Sequence, residues 1–313
     1  MKFIFTLLPL WLLAIGAQIA CAVNSLEQEF LCPICGMNWH QRIETSGRAR
    51  GLRLDLRQVG DVVDPPSLPQ CTKCRFPLFS DRLVTQANDP SKANAFRQLR
   101  SFVRGADFQM LASKTPSYFA LAQVQQLLNA PHRHIALSYQ RASWQAEDRE
   151  AMCLRLLEKA REHFIAALAG MKPDDARFGE VALLCGEVER RLGKWDDAEK
   201  RFRDLKDTEA FQDSRKMSIV AMQLKLIELR DSRPRVMDER IEALKELGGK
   251  EAAATPETPA RALTPDEQLE LPSEPGKPGL GLEFAVPAKV FSGPPATPRA
   301  AARGAKKAKA KSN

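Results

Sequence analysis

The sequence predicts a mainly α-helical protein with a small β region near its N-terminus and a disordered C-terminal tail. Three observations predict it. Two Cys-x-x-Cys pairs stand near the start of the chain, at Cys32/Cys35 and Cys71/Cys74. From about residue 89 to 249 apolar residues recur three and four apart, which is the period of a helix face. Residues 250–313 are Ala, Pro, Thr, Glu and Gly with few large apolar side chains, a composition that cannot bury enough surface to offset the entropy of ordering it. The expected organisation is a leader at 1–22, a cysteine domain at 23–88, a helical domain at 89–249 and a tail at 250–313.

The leader carries Lys2, an apolar run from Phe3 to Ala17 broken by Pro9, and the small residues Ala20, Cys21 and Ala22. That order reads as a secretory signal cut before Val23, and the run is short for a membrane span of about 20 residues. An exported protein, periplasmic or secreted, is expected. The alternatives are an uncleaved anchor and a lipoprotein acylated at Cys21, against which Gln18 stands where such signals carry an aliphatic residue.

Cys32-Pro-Ile-Cys35-Gly36 and Cys71-Thr-Lys-Cys74 each supply half of a tetrahedral thiolate site. A Cys-x-x-Cys turn brings two sulfurs together, and a following glycine lets the backbone fold over them. Gly36 does this in the first pair, whereas Arg75 takes the place in the second. The 35 residues between the pairs require a long hairpin or extended loop to close the site. The four cysteines are therefore candidate ligands for Zn2+, with iron as the other metal that four thiolates accept. Export leaves two rivals open. One is a pair of structural disulfides, and the other is redox catalysis at Cys32/Cys35, which needs the first cysteine at a helix N-terminus. The residues Gly36-Met37-Asn38-Trp39 that follow do not read as that helix. His40 is the other nearby ligand type, and Cys153 and Cys185 lie in helix-like segments as buried core residues.

Between the pairs, Leu52, Leu54 and Leu56 alternate with Arg53, Asp55 and Arg57, so Gly51 to Val59 reads as one half-buried strand. Pro65, Pro66 and Pro69 then lead the chain into the second pair in extended form.

Helices are expected at Lys92–Val103, Tyr118–Leu128, His132–Trp144, Asp148–Ala169, Asp175–Leu192, Trp195–Leu205, Phe211–Leu229 and Val236–Leu247. Asp89-Pro90-Ser91 and Thr115-Pro116-Ser117 supply start signals, and Gly248-Gly249 supplies a C-cap. Short turns between them predict an array of stacked, antiparallel helices. Gly186, Gly193, Trp195, Ala198 and Phe202 fall at the spacing of a tetratricopeptide repeat, in which small residues let two helices approach and aromatics fill the gap. The unit before it, with Ala136, Tyr139, Trp144 and Ala166, is TPR-like with a longer second helix.

The order of these features resembles a bacterial family known as DUF2225. The elements that carry the likeness are Cys32-Pro-Ile-Cys35-Gly36, Cys71-Thr-Lys-Cys74 and the turn Gly186-Glu-Val-Glu-Arg-Arg-Leu-Gly193, over roughly residues 30 to 230. The resemblance implies metal binding and a helical scaffold, and it implies no reaction. Arg75 in place of a knuckle glycine, and an export signal before such a domain, depart from it.

No phosphate-binding glycine loop, nucleophile elbow or histidine-carboxylate metal motif stands in the sequence. His132 and His134 are two apart and diverge on a helix, His163 reads as a helix-face residue, and Asp196 and Asp197 suit the positive end of a helix dipole. The net charge is +8, and residues 298–313 carry six positive charges with no acidic residue, while 251–297 hold seven acidic against three basic. The basic end suits contact with an anionic polymer or membrane surface, and Phe284 to Phe291 is the tail's one apolar cluster. The expected protein is a non-enzymatic, zinc-binding scaffold that takes a protein or peptide on its helical array. The alternatives are a periplasmic thiol-disulfide oxidoreductase using Cys32/Cys35 and nucleic-acid binding through the ribbon and basic tail. Export argues against the second, so no specific nucleic acid is expected.

Overall fold

The computed structural model describes residues 24–237 apart from 48, 63, 81 and 209–213. The leader, the tail, the Gly248-Gly249 cap and most of the last expected helix lie outside the described residues.

Strands β1 (Asn24–Leu31) and β2 (Asn38–Ser46) pair antiparallel, with Leu31 opposite Asn38, so the first cysteine turn is the loop of this hairpin. Phe30 and Trp39 face each other across it with ring centroids 5.3 Å apart, and with Ile43 they make its buried face. Strands β3 (Ala49–Leu52) and β4 (Gln58–Gly60) form a second hairpin. The single strand expected over Gly51–Val59 is thus folded back on itself. Arg53 N–H donates to Arg57 O at 2.8 Å, and Leu56 takes φ 67° to turn the chain. Alternation fails because both parities turn inward: Leu54 is buried, and so are Arg53 and Asp55, which satisfy one another.

A short helix α1 (Arg82–Gln86) and a 3-10 turn at Pro90–Lys92 lead into the helical region. There Asp89 accepts from Ser91 N–H at 2.8 Å, the start signal read in the sequence. The array comprises α2 (Ala93–Arg104), α3 (Ala106–Lys114), α4 (Ser117–Leu127), α5 (His132–Gln145), α6 (Glu150–Ala169), α7 (Phe178–Arg191), α8 (Trp195–Lys206) and α9 (Ser214–Glu228). Pro116 and Pro131 stand immediately before α4 and α5. Helix α3 has no counterpart in the sequence reading. Gly105, extended at φ −61° and ψ 143°, breaks α2 from it, and nine residues are too few for a clear period.

From α4 onward each helix packs on the next, and α4 is buried from Ser117 to Gln126. Gly186 on α7 sits against Phe202 on α8 so closely that a Cβ there would lie 2.7 Å from the ring Cζ. Gly193, at φ +70°, turns the chain between these helices.

One core runs without a break from Phe30 through Cys32, Cys71 and Phe76 to Phe119, Phe164 and Val188, so the cysteine region and the helices share it. A second core around Ala182, Phe202 and Val220 joins α7, α8 and α9, and a third joins Leu54 to Met222 and Leu226 of α9. After α9 the chain returns to β3: Leu54 N–H donates to Arg235 O at 2.9 Å, and Met237 N–H to Leu52 O at 2.8 Å. Val236, expected as the first residue of a helix, instead bridges Arg53 as an added strand position. The unpaired edge of β3 and the apolar contact of Met237 with the third core favour the extended form there. Among the described residues no helix is long and apolar enough to cross a membrane.

Candidate metal centre

Two turns of the same shape build the centre. In the first, Cys32 N–H donates to Met37 O at 2.9 Å and Gly36 N–H to Cys32 O at 2.9 Å. In the second, Cys71 N–H donates to Phe76 O at 3.0 Å and Arg75 N–H to Cys71 O at 2.8 Å. Gly36 and Arg75 both take the left-handed backbone, at φ 71° and 58°, so the arginine adopts the conformation expected of a glycine. Each turn also aims N–H groups at its first sulfur, from Ile34 and Cys35 onto Cys32 and from Lys73 and Cys74 onto Cys71.

The core brings the two turns face to face. Cys32 Sγ lies 3.5 Å from Cys74 Sγ, and Cys35 Sγ lies 3.5 Å from Cys71 Sγ. All four sulfurs fall within 4.8 Å of one another. A regular tetrahedron of thiolates at about 2.3 Å from one ion has edges of about 3.8 Å, so this set fits a four-sulfur site. A disulfide needs about 2.05 Å, and the four thiols are free. Cys32, Cys71 and Cys74 are buried and Cys35 is half-buried, at the surface side of the cluster. His40, in contrast, is exposed on β2 and stands outside it.

The sulfurs bias one another's protons. The hydrogen bond from Cys74 lowers the Cys32 thiol to about 5 against the opposing effect of burial, and the N–H groups of Cys35 and Ile34 add to the lowering. Cys74, as the donor, is driven up, with burial reinforcing the effect. Burial likewise raises Cys71. The arrangement therefore holds thiolate character at Cys32 and keeps the protons of Cys71 and Cys74 on, a pattern that a divalent cation would replace by four thiolates.

Helices fix the centre from outside. Gln109 of α3 donates its Nε2 to Cys74 O at 2.7 Å and to Val103 O at 2.6 Å, which ties the second turn to the end of α2. Leu68 N–H donates to Ser117 Oγ at 3.0 Å. Sequence reasoning missed Gln109, since the helix that carries it was not recognised.

Other polar clusters were also invisible in the sequence. Asp55 accepts from Arg53 at 2.6 Å, Arg53 and Arg57 reach Glu147 beyond α5, and Arg191 of α7 lies 3.4 Å from Asp55. His163, read in the sequence as a helix-face residue, is 5 % exposed. Its Nδ1 is 2.9 Å from His132 Nδ1, its Nε2 is 3.1 Å from Gln126, and its ring stacks on Tyr139. His134 points elsewhere, toward Arg133, as the two-residue spacing requires. Cys153 and Cys185 are buried free thiols, as expected of core residues, and burial pushes Cys185 up to about 12.

A family model described as an uncharacterized protein conserved in bacteria, DUF2225, matches residues 26–227. No curated protein and no solved structure matches the chain. The matched span starts in β1 and ends in α9, so it takes in both cysteine turns and the helices around them.

Proposed function

The chain belongs to the DUF2225 family, and we propose that it is a non-enzymatic, zinc-binding scaffold that presents a helical array to a protein or peptide. The observation that carries the metal half is the convergence of Cys32, Cys35, Cys71 and Cys74 to within 4.8 Å from two turns of matching geometry. Four soft sulfur donors suit Zn2+, and iron is the second candidate for the same set. Bound zinc would supply the positive charge that lets four adjacent sulfurs ionise together in a mostly buried place. Its role is structural, because all four positions are taken by protein and none is left for substrate.

The scaffold half rests on the array of α4 to α9 and on the TPR-like close approach of Gly186 to Phe202. The sequence of residues 1–22 supports an exported location.

Thiol-disulfide exchange at Cys32/Cys35 is the second reading, favoured by the lowered Cys32 thiol. Burial opposes it, since Cys32 is only 2 % exposed and a disulfide substrate needs an open sulfur. Zinc content of the purified full chain, compared with turnover of a disulfide substrate, separates the two. Stoichiometric zinc without turnover supports the scaffold, and turnover without zinc supports exchange.

A further inference from the structure

Beside the first cysteine turn lies an open depression of about 460 Å³, walled by Leu31 and Pro33 on one side and by Val84, Arg100 and Arg104 on the other. Leu31 is 43 % exposed there. Arg97, Arg100 and Arg104 recur three and four apart on α2, which places them on one face, and residues 92–106 include no carboxylate. Unlike Arg53, Arg57, Arg190 and Arg201, none of the three has a carboxylate partner among the described residues. Arg100 merely lies 6.0 Å over the Phe96 ring. Like charges at this spacing weaken an isolated helix, so the stripe calls for an anion from outside it.

The chain contains a segment of the complementary kind. Residues 262–276 carry Asp266, Glu267, Glu270 and Glu274 with no basic residue, and Leu269 and Leu271 sit among the acids. We propose that the depression between the first cysteine turn and α2 is the docking site for this chain's own segment Asp266 to Leu271. The carboxylates meet Arg100 and Arg104, where arginine favours paired hydrogen bonds, and the leucines cover Leu31 and Val84. A linker of 28 residues, the number between Met237 and Asp266, can reach about 95 Å at full extension, more than the width of a compact domain of the described length. Tethering at that length gives an effective concentration on the order of millimolar, so a contact that is weak between separate molecules is well occupied within one. Access to the face of the first cysteine turn then becomes a competition between the tail and any acidic partner. The proposal goes beyond the scaffold reading and holds whichever metal fills the cysteines, provided the turn is folded.

A photoreactive phenylalanine analogue placed at Leu269 of the full chain tests this, with the crosslinked peptides mapped by mass spectrometry and metal content measured on every sample. The expected crosslinks fall in residues 31–36 or 84–104, within one chain. They fall several-fold in D266N/E267Q/E270Q and in R100Q/R104Q, and also as salt rises to about 1 M, where screening acts within about 3 Å. They return when R100E/R104E is combined with D266K/E267K/E270K. Crosslinks elsewhere, crosslinks between chains, or yields insensitive to these charges overturn the proposal. So does a wild-type chain whose α2 face is free to take up a synthetic 262–276 peptide. Unchanged metal content with lost crosslinking marks a failure of the tail contact alone, whereas lost metal marks a failure of the turn itself.

Discussion

Gly36 and Arg75 hold equivalent places in the two cysteine turns: both have positive φ, at 71° and 58°, and each donates its N–H to the carbonyl of its pair's first cysteine, at 2.9 and 2.8 Å. The two residues bear unequal conformational costs for the same job. A Cβ added at Gly36 meets nothing within 4 Å, so Gly36→Ala isolates the backbone term and should cost about 1 kcal/mol. Arg75→Gly should act in the opposite direction, stabilising by roughly 0.5–1 kcal/mol after the larger entropy of the unfolded glycine is counted. Denaturant midpoints of the metal-loaded variants check both signs.

The approach of α7 to α8 depends on Gly186. A Cβ there would lie 2.7 and 2.9 Å from Cζ and Cε2 of Phe202, inside any tolerated contact. Overpacking of about 1–3 kcal/mol should exceed the gain of about 1 kcal/mol in helix propensity, so Gly186→Ala destabilises. Combined with Phe202→Leu, it should cost clearly less than the two changes summed. A double-mutant cycle by thermal or denaturant unfolding measures that coupling.

Arg190 and Glu187 form an ion pair at 2.8 Å with both side chains fully buried, and Gln223 of α9 bonds to each. Removing one partner leaves an uncompensated buried charge. Arg190→Met should therefore lose about 3–5 kcal/mol, while the paired change with Glu187→Leu should recover much of it. Arg190 also donates to the carbonyls of Asp231 and Arg233, so the single variant should expose the return segment to protease first.

Acid should loosen that same return segment. Burial opposes ionisation of Asp231, but hydrogen bonds from Arg233 and Arg235 win and hold its carboxyl at about 2, below the ordinary 3.8. Burial likewise opposes ionisation of Glu147, whose carboxyl the Arg53 guanidinium keeps below its usual range. For groups lowered on folding, the stabilisation is complete above the unfolded value and is lost as pH falls through the folded one. The contact of Arg235 should weaken between about pH 4 and 2, and that of Arg53 as pH falls below the ordinary 4.5 of Glu147, read as faster amide exchange at Leu54 and Met237. Asp231→Asn should remove the part of that pH dependence carried by residue 231.

Much of this architecture is legible in the chain because local signals act alone. The helices from α4 to α9 follow apolar periods bounded by Pro116, Pro131 and Gly193. The paired cysteines converge as their spacing suggests. What escapes is set by contacts far apart in sequence. Arg53 and Asp55 look like the solvent side of a strand until Glu147 and Arg191 arrive to neutralise them. Val236 looks helical until the edge of β3 offers it a partner. The helix-face reading of His163 does not name its neighbour His132, which lies 31 residues earlier.

The most direct test is metal content together with free-thiol count on the full chain, purified without added chelator or reductant, beside Cys32→Ser and Cys71→Ser. The account predicts about one zinc per chain, lost in both variants. Wild-type protein with Cys32, Cys35, Cys71 and Cys74 free but no metal, or with those cysteines oxidised in pairs, would contradict it.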